Sequence, residues 1–324
     1  KHLAKKIKSN EVIFGPLSAY LTHALTGKAA IDESIAGRSQ FFNLKTRSWS
    51  PDCLDLFEVP VSTLPRLVTT GYDFGNVLNT KIPLRFVMGD QQAALIGQAG
   101  LKPGSMASNF GTSASIQYNT GAEPNIVPGL ISSVLFSDDR QRLNMVEGTI
   151  NSGNSIFYHL EKVLDIEHHN MHWDQRCSDH STSGIFVPGF SGLAAPYWSG
   201  GFDDIYWELD KRDHNAVIRA AMESIGFLVY DIIRFLEPII KSRPAKLTAS
   251  GGGARDSLLQ FIADLVRVPV EHSTMRDRTA YGVYRLLNPD QDYSAFESDK
   301  IFFPSKNNAD KKIKQWHAAI ASIL

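Results

Sequence analysis

Residues 89–121 read GDQQAALIGQAGLKPGSMASNFGTSASIQYNTG, and this stretch decides the predicted fold. The apolar run at 84–88 before it predicts a buried strand that ends at Gly89-Asp90. Residues 93–99 are typical of a helix that ends at Gly100 and Pro103-Gly104. A strand, a tight glycine turn and a helix in this order indicate an α/β fold.

The same order recurs further along the chain. Residues 105–120 predict a hairpin with Gly111 at its turn, and residues 246–249 predict a strand that leads into the turn at Gly251. Ligands of open α/β sheets gather at the carboxyl ends of strands, so these turns predict a cleft that handles phosphate. Further helices are predicted at 15–25, 145–165, 216–240, 256–266 and 308–324.

Size and composition narrow the function classes. The 324 residues, 43% of them hydrophobic, suffice for two domains with cores of their own. The 33 basic and 34 acidic residues balance, which argues against a nucleic-acid partner. Cys53 and Cys177 do not make a disulfide framework, and no apolar run is long enough for a membrane span. We therefore expect a cytoplasmic protein, whose start at Lys1 suggests that the chain begins inside a longer one.

Asp90 and the hairpin turn each allow two interpretations. A carboxylate at the end of a strand can accept a proton from a hydroxyl that attacks phosphorus, or it can simply cap the helix that follows. Gly111 and Thr112 can bring backbone and hydroxyl groups to phosphate oxygens, but most Gly-Thr-Ser triplets are ordinary turns.

The residues of two other candidate sites also allow both a functional and a purely structural interpretation. The glycines at 251–253 can accommodate a nucleotide or form a plain turn, and they match neither a dinucleotide fingerprint nor a P-loop. His168 and His172 are spaced to share a helix face and bind a metal, although exposed helix histidines are common.

Taken together, these motifs resemble the FGGY family of carbohydrate kinases, which includes glycerol and pentulose kinases. The resemblance starts at 17–49, continues through 89–121, and then follows the family's order nearly to the end of the chain. Its remaining stretches are EGTINSGNSIFYHL (147–160), VPGFSGLAAPYW (187–198), IRAAMESIGFLVYDII (218–233) and LTASGGGARDSLLQFIADLVRVPVE (247–271).

The resemblance implies an actin-like ATPase fold, in which two domains of ribonuclease H-like topology close on a cleft. Residues 1–98 would end the N-terminal, substrate domain, and residues 99–324 would form the complete C-terminal, nucleotide-binding domain. Asp90 matches the general base, and Gln91 and Ser115 match positions that contact substrate. Mg²⁺ would arrive with ATP, without a metal site of the protein's own. The positions implied to bind ATP are Gly111, Thr112, Gly153, Gly251, Gly252 and Arg255.

The chain also departs from the family. Roughly the first 140 residues of the family are expected to be absent, and with them a phosphate-binding hairpin, so we expect no efficient catalysis from this chain alone. Ser115 stands where glycerol kinases carry an aromatic residue, and Phe157 stands where many carry glutamine. Glu208 falls where the family signature has glycine. These changes weaken the prediction that glycerol is the substrate more than the prediction that the protein is a kinase.

Two function classes remain. The first is ATP-dependent phosphorylation of a hydroxyl on a small sugar or polyol, and the second is a nucleotide-binding fragment or silent kinase homologue without transfer activity. The pair Gln91-Gln92 favours glycerol, while the triple glycine at 251–253 favours a ketopentose or heptulose acceptor. A nicotinamide dehydrogenase fits less well, because Gly251 lacks the required glycine spacing. The sequence allows a homodimer but does not decide the assembly state.

Overall fold

A mixed sheet of seven strands forms the centre of the larger part of the molecule. The computed structural model describes residues 5–7, 9, 11–240, 244–291, 299–305 and 309–324. Alternate residues of a strand point to opposite faces, so Met106 packs into one apolar core and Ala107 into the core on the other face. Helices cover both faces, which gives three layers.

The strands of this sheet combine parallel and antiparallel pairs. In spatial order they are β13 (Lys300–Phe302), β12 (Val270–His272), β11 (Leu247–Ser250), β5 (Met106–Phe110), β6 (Ala114–Gly121), β8 (Arg142–Ile150) and β7 (Ile131–Ser137). Two-stranded sheets pair β1 (Ala30–Asp32) with β4 (Arg66–Val68), β2 (Phe42–Asn43) with β3 (Ser48–Trp49), and β9 (Ile185–Val187) with β10 (Ile205–Trp207).

The helices lie against these sheets. They are α1 (Leu17–Thr26), α2 (Glu33–Ala36), α3 (Pro51–Leu56), α4 (Asp90–Ala99), α5 (Ser155–Val163), α6 (Trp173–Asp179), α7 (His214–Leu236), α8 (Asp256–Val266), α9 (Arg278–Leu287) and α10 (Asp310–Ala321). The longest of them, α7, has an apolar repeat that is buried in the main core, as its sequence predicts. Within the described ranges, every helix is too short or too polar to cross a bilayer.

Several sequence predictions of secondary structure are wrong in detail. Residues 84–88 form no strand and lie in an extended connection. The isolated β-bridge described at this point joins the preceding residue, Pro83, to Asn76. The predicted helix at 145–165 starts only at Ser155, since the residues before it complete strand β8. Helix α1 forms and ends at Gly27 as predicted, but Leu17 on its apolar stripe faces outward.

Helices α4 and α9 cross so closely that two glycines form the contact. A Cβ atom built on Gly97 would lie 2.0 Å from the carbonyl oxygen of Arg278, and one on Gly282 would lie 1.9 Å from that of Ala93. Both obstacles are backbone atoms, which cannot rotate away as a side chain can. The two helices can therefore approach this closely only because both positions lack a side chain.

A buried carboxylate joins helix α10 to the rest of the main core. Asp231 is 3% exposed and accepts hydrogen bonds from the Tyr197 hydroxyl (2.8 Å), Trp316 Nε1 (2.6 Å) and His317 Nε2 (2.7 Å). The hydrogen bond to Asp231 raises the pKa of His317 above its usual range, although partial burial opposes this. Protonated His317 therefore stabilises the folded state.

This ion pair predicts a pH-dependent contribution of His317 to stability. Because its pKa is higher in the folded than in the unfolded chain, the contribution is complete below the unfolded value of about 6.5 and is lost as pH rises through the raised pKa. The melting temperatures of the wild type and His317→Gln should therefore differ more at pH 6 than at pH 9. An equal difference in melting temperature at both pH values would show that the charge of His317 does not contribute to stability.

Candidate functional site

Asp90 is the first residue of helix α4, and a hydrogen bond of the preceding residue holds it in place. The N–H of Gly89 donates to Ser34 Oγ (3.0 Å), which ties the residue before Asp90 to helix α2. Gly89 occupies the N-cap without any side-chain cap. Among the described residues, Asp90 Oδ1 accepts a hydrogen bond from the Gln91 N–H (2.8 Å), and the side chain is exposed. The carboxylate is thus available to a ligand.

Gln91, which follows Asp90, lines a cavity of about 310 Å³ that we call the polar cavity. Gln91 Oε1 accepts from Gln117 Nε2 (2.8 Å) and from Ser115 Oγ (3.4 Å). Ser115 and Gln117 are two residues apart on β6 and therefore share a face of the sheet. Thr149 on β8 lies opposite Ser115 and lines the same cavity. The structure thus brings two predicted substrate residues, Gln91 and Ser115, together.

A buried acid forms part of the wall of the polar cavity. Glu147 lies opposite Gln117 in the neighbouring strand and is 2% exposed. Its carboxylate forms an ion pair with the partly exposed guanidinium of Arg38, which follows helix α2. This pair joins the first hundred residues to the central sheet beside the cavity.

Three glycines predicted to lie near a nucleotide meet at the tip of the β5–β6 hairpin. A Cβ atom on Gly153 would lie 2.7 Å from the carbonyl oxygen of Gly111, and one on Gly251 would lie 2.3 Å from that of Phe110. Gly251 also has φ +100°, a conformation that side chains rarely allow. The carbonyl of Thr112 accepts from Ser155 N–H (3.1 Å). Gly111, Gly153 and Gly251 thus allow three loops to pack directly against one another.

On the other side of these loops lies a second cavity, of about 470 Å³, which we call the aromatic cavity. Its walls include Phe157 and Trp173, whose rings stack with centroids 4.1 Å apart, together with Gly252 and Arg255. A Cβ atom on Gly252 would meet no atom within 4 Å, so this glycine leaves open space. The cavity can therefore take a flat, partly polar ligand against aromatic rings.

Asn154 and Ser113 show how the two cavities are related. Asn154 lines the aromatic cavity, and its N–H donates to the Gly111 carbonyl (2.9 Å). Ser113, two residues after Gly111 in the same turn, lines the polar cavity. The hairpin tip is therefore in contact with the walls of both cavities.

The histidines that suggested a metal site do not share a helix face. His168 lies in a short 3-10 turn, and His172 precedes helix α6 with φ +33°. His168 Nδ1 contacts Glu161 Oε1 (2.7 Å), and its ring stacks on Tyr158. The part of the chain that the structure describes holds no group of three or more His, Cys, Asp or Glu residues that could bind a metal. The stretch instead forms one wall of the aromatic cavity.

Three residues at or behind the cavity walls come together only in the folded chain, and their sequence context does not predict them. Gln117 and Glu147 lie on neighbouring strands, and Trp173 comes from a separate helix. Alternation along β6 could have placed Gln117 on the face of Ser115, but nothing local marks Trp173.

Comparison with known proteins gives the family. The model of the C-terminal domain of the FGGY family of carbohydrate kinases matches residues 106–288, and the model of its N-terminal domain matches residues 1–97. Both domains are therefore represented. The expectation that the chain lacks the first 140 residues of the family is not supported by these matches, and the expectation of no efficient catalysis rested on that absence.

Individual relatives agree with this result. The glycerol kinase of Limosilactobacillus reuteri is 31% identical over 290 residues, which are 86% of this chain and 58% of that protein. The chain thus spans less than two thirds of the length of that curated relative. The crystal structure of Plasmodium falciparum glycerol kinase with ADP superposes with a TM-score of 0.88 at 24% identity, over 100% of this chain and 69% of that one.

A further solved structure extends the likeness beyond glycerol kinases. Gluconate kinase from Lactobacillus acidophilus superposes with a TM-score of 0.80 at 20% identity, over 94% of this chain and 66% of that one. These two superpositions establish the fold, and they confirm the actin-like α/β architecture predicted from the sequence. On the matches to both of its domain models, this chain belongs to the FGGY family of carbohydrate kinases.

Proposed function

We propose that this chain transfers the γ-phosphoryl group of ATP to a hydroxyl of a sugar or polyol. The observation that carries the proposal is the position of the hairpin tip, which borders both cavities. An acceptor in the polar cavity would lie beside Gln91, the residue that follows Asp90. A nucleotide in the aromatic cavity would direct its phosphates toward the hairpin tip at Thr112 and the loop at Gly252. Phosphoryl transfer needs the acceptor hydroxyl and the γ-phosphoryl group held close together, and a turn shared by two sites can do this.

Asp90 is proposed as the general base. As the acceptor hydroxyl oxygen forms its bond to the γ-phosphorus, the bond to the ADP oxygen breaks and the hydroxyl proton passes to the carboxylate. One oxygen of Asp90 accepts the Gln91 N–H, which fixes the direction of the group. The other oxygen makes no hydrogen bond to any described residue and can receive the proton.

The aromatic cavity is proposed as the nucleotide site. Its volume of about 470 Å³ lies within the range of small-ligand sites, which is roughly 300–1,000 Å³. The stacked pair Phe157 and Trp173 offers an apolar wall for the base, and Arg255 offers a positive charge. Mg²⁺ bound to the phosphates would neutralise charge there. We also propose the division into a substrate domain at 1–98 and a nucleotide domain at 99–324.

A screen for ADP release over several acceptors tests the proposed function. The chain should release ADP with at least one of glycerol, xylulose, ribulose, gluconate and sedoheptulose, and calorimetry should detect binding of ATP. Binding of ATP without release for any acceptor would favour the second candidate, a nucleotide-binding chain without transfer activity. Absence of ATP binding would contradict both.

A bulky side chain at Gly252 is expected to weaken ATP binding without destabilising the fold. Open space around this glycine means that the Cβ atom of Gly252→Leu meets no atom within 4 Å, and its side chain enters the proposed nucleotide site. We expect the Kd for ATP, measured by calorimetry, to rise by about tenfold or more, which corresponds to about 1.4 kcal/mol.

Gly200 provides a matched control for this substitution. A Cβ atom on Gly200 would likewise meet no atom within 4 Å, and this glycine lies outside both cavities. Gly200→Leu should therefore leave the Kd unchanged. Equal affinity of both variants for ATP would mean that the Gly252 loop is structural.

A further inference from the structure

The amide of Gln117 has only one orientation that agrees with its contacts. The backbone carbonyl of Gln91 can only accept a hydrogen bond, and the Gln117 amide lies 3.0 Å from it. The Gln117 atom at this position must therefore be the nitrogen. The same nitrogen lies 2.8 Å from the side-chain amide of Gln91, so the Gln91 atom that faces it must be the oxygen.

This arrangement also decides which way the Gln91 amide points. Its oxygen accepts from Gln117 and is within 3.4 Å of the Ser115 hydroxyl, so its two acceptor positions are used inside the protein. Its nitrogen makes no hydrogen bond to any residue in the described ranges. Because Gln91 lines the polar cavity, the two N–H groups of its amide are the part left for a ligand.

Gln117 is itself held firmly. It is 1% exposed and lies in the middle of β6, between Ala107 on one neighbouring strand and Glu147 on the other. Breaking the hydrogen bonds of a buried amide costs about 1–3 kcal/mol, which favours the arrangement in which Gln117 keeps its bonds to Gln91. The rigid sheet can therefore fix the side chain of a residue in the first turn of helix α4.

We infer that Gln117 is a positioning residue for substrate binding, which holds the Gln91 amide with its N–H groups toward the polar cavity. This inference rests on the proposed function and adds to it the chemistry of recognition. Through Gln91 the cavity donates a hydrogen bond, so it selects an acceptor substrate that presents an oxygen lone pair, from a hydroxyl or a carbonyl group. Gln117 does not touch the substrate.

Substitution of Gln117 by methionine tests the inference by kinetics. Methionine has nearly the same shape but no donors, so the Gln91 amide is free to rotate. The KM for the acceptor should rise about tenfold, the effect of one lost hydrogen bond, while the KM for ATP is unchanged. Gln91→Ala should raise the acceptor KM similarly, and the double variant should be no worse than Gln91→Ala alone. Additive effects of the two substitutions would overturn the inference.

Gln98 supplies a matched control. It is a buried glutamine on the same helix as Gln91, its amide makes no hydrogen bond within the described residues, and it lies outside both cavities. Gln98→Met should leave the acceptor KM unchanged. If both methionine variants raise it equally, a general loosening of helix α4 explains the effect and the positioning role is wrong.

A spectroscopic measurement separates this inference from the proposed function. The side-chain amide signals of Gln91 in a ¹⁵N correlation spectrum can be assigned by their loss in Gln91→Ala. In the wild type they should be ordered and well dispersed, and in Gln117→Met they should move to the position of free glutamine. This holds even if no acceptor is phosphorylated, in which case only the proposed function fails. Identical Gln91 signals in both proteins would overturn the inference itself.

Discussion

Replacement of Asp90 by asparagine is expected to lower kcat by about 10²–10⁴-fold, the usual effect of losing a general base. Asparagine keeps the shape of the side chain and an oxygen that can accept the Gln91 N–H, so the start of helix α4 should be preserved. It cannot take the proton of the acceptor hydroxyl at neutral pH. The Kd for ATP should not change, because Asp90 lies outside the aromatic cavity. ADP release at saturating acceptor measures the effect.

Asp52 offers a control for this experiment. It also lies exposed in the first turn of a helix, α3, and it borders neither cavity. Asp52→Asn removes the same charge near a helix N-terminus and should leave kcat unchanged. Near-normal turnover of Asp90→Asn would show that Asp90 is not the base. An equal loss of kcat in both variants would mean that the charge acts through the stability of the helix.

The largest effect on stability is expected from a side chain at the crossing of α4 and α9. In Gly97→Ala the new methyl group would lie 2.0 Å from the Arg278 carbonyl oxygen, so the two helices must separate. Overpacking of a core typically costs about 1–3 kcal/mol, and the obstacle here is backbone that cannot rotate away. We expect a loss of about 3 kcal/mol in the free energy of unfolding, measured by urea denaturation.

Gly200→Ala is the control for the crossing, because its methyl group meets no atom within 4 Å. Its effect should stay within about 0.5 kcal/mol, as for most surface substitutions. If Gly97→Ala were as stable as this control, the close approach of α4 and α9 would not be needed by the fold.

The motifs around the hairpin could be predicted from the sequence because they are local. Gly111 and Gly251 each lie in a turn whose flanking strand or helix has a clear pattern, and the sheet order places β5 beside β11. Gly153 lies in a range that the local pattern predicted as helix, so only the family resemblance pointed to it. The crossing of Gly97 and Gly282 was not foreseen, since two glycines so far apart in the chain carry no sign that they touch. Packing of this kind depends on tertiary geometry, which periodicity does not encode.

The strand expected at 84–88 shows a different limit. An apolar run predicts burial, but a strand also needs a continuous ladder of backbone hydrogen bonds, and within 84–88 the described ones are the two that Leu84 makes with Phe74 and Gly75. The polar cavity shows a third limit. Gln91 and Ser115 were expected to bind substrate, yet Glu147 enters the wall only because β8 pairs with β6, and Gln117 lies behind Gln91. The roles assigned to the site residues stay predictions.

The crossing of α4 and α9 would also affect the proposed catalysis, because a rotation of α4 about the crossing moves Asp90 at its start. Asp90 precedes Gly97 by seven residues, which is about 10 Å along a helix. A tilt of about 6° at this fulcrum would carry the carboxylate through roughly 1 Å, and a misplacement of that size can cost about 10²-fold in rate. A methyl group at Gly97 is therefore expected to lower the proposed transfer activity at temperatures where the protein is still folded.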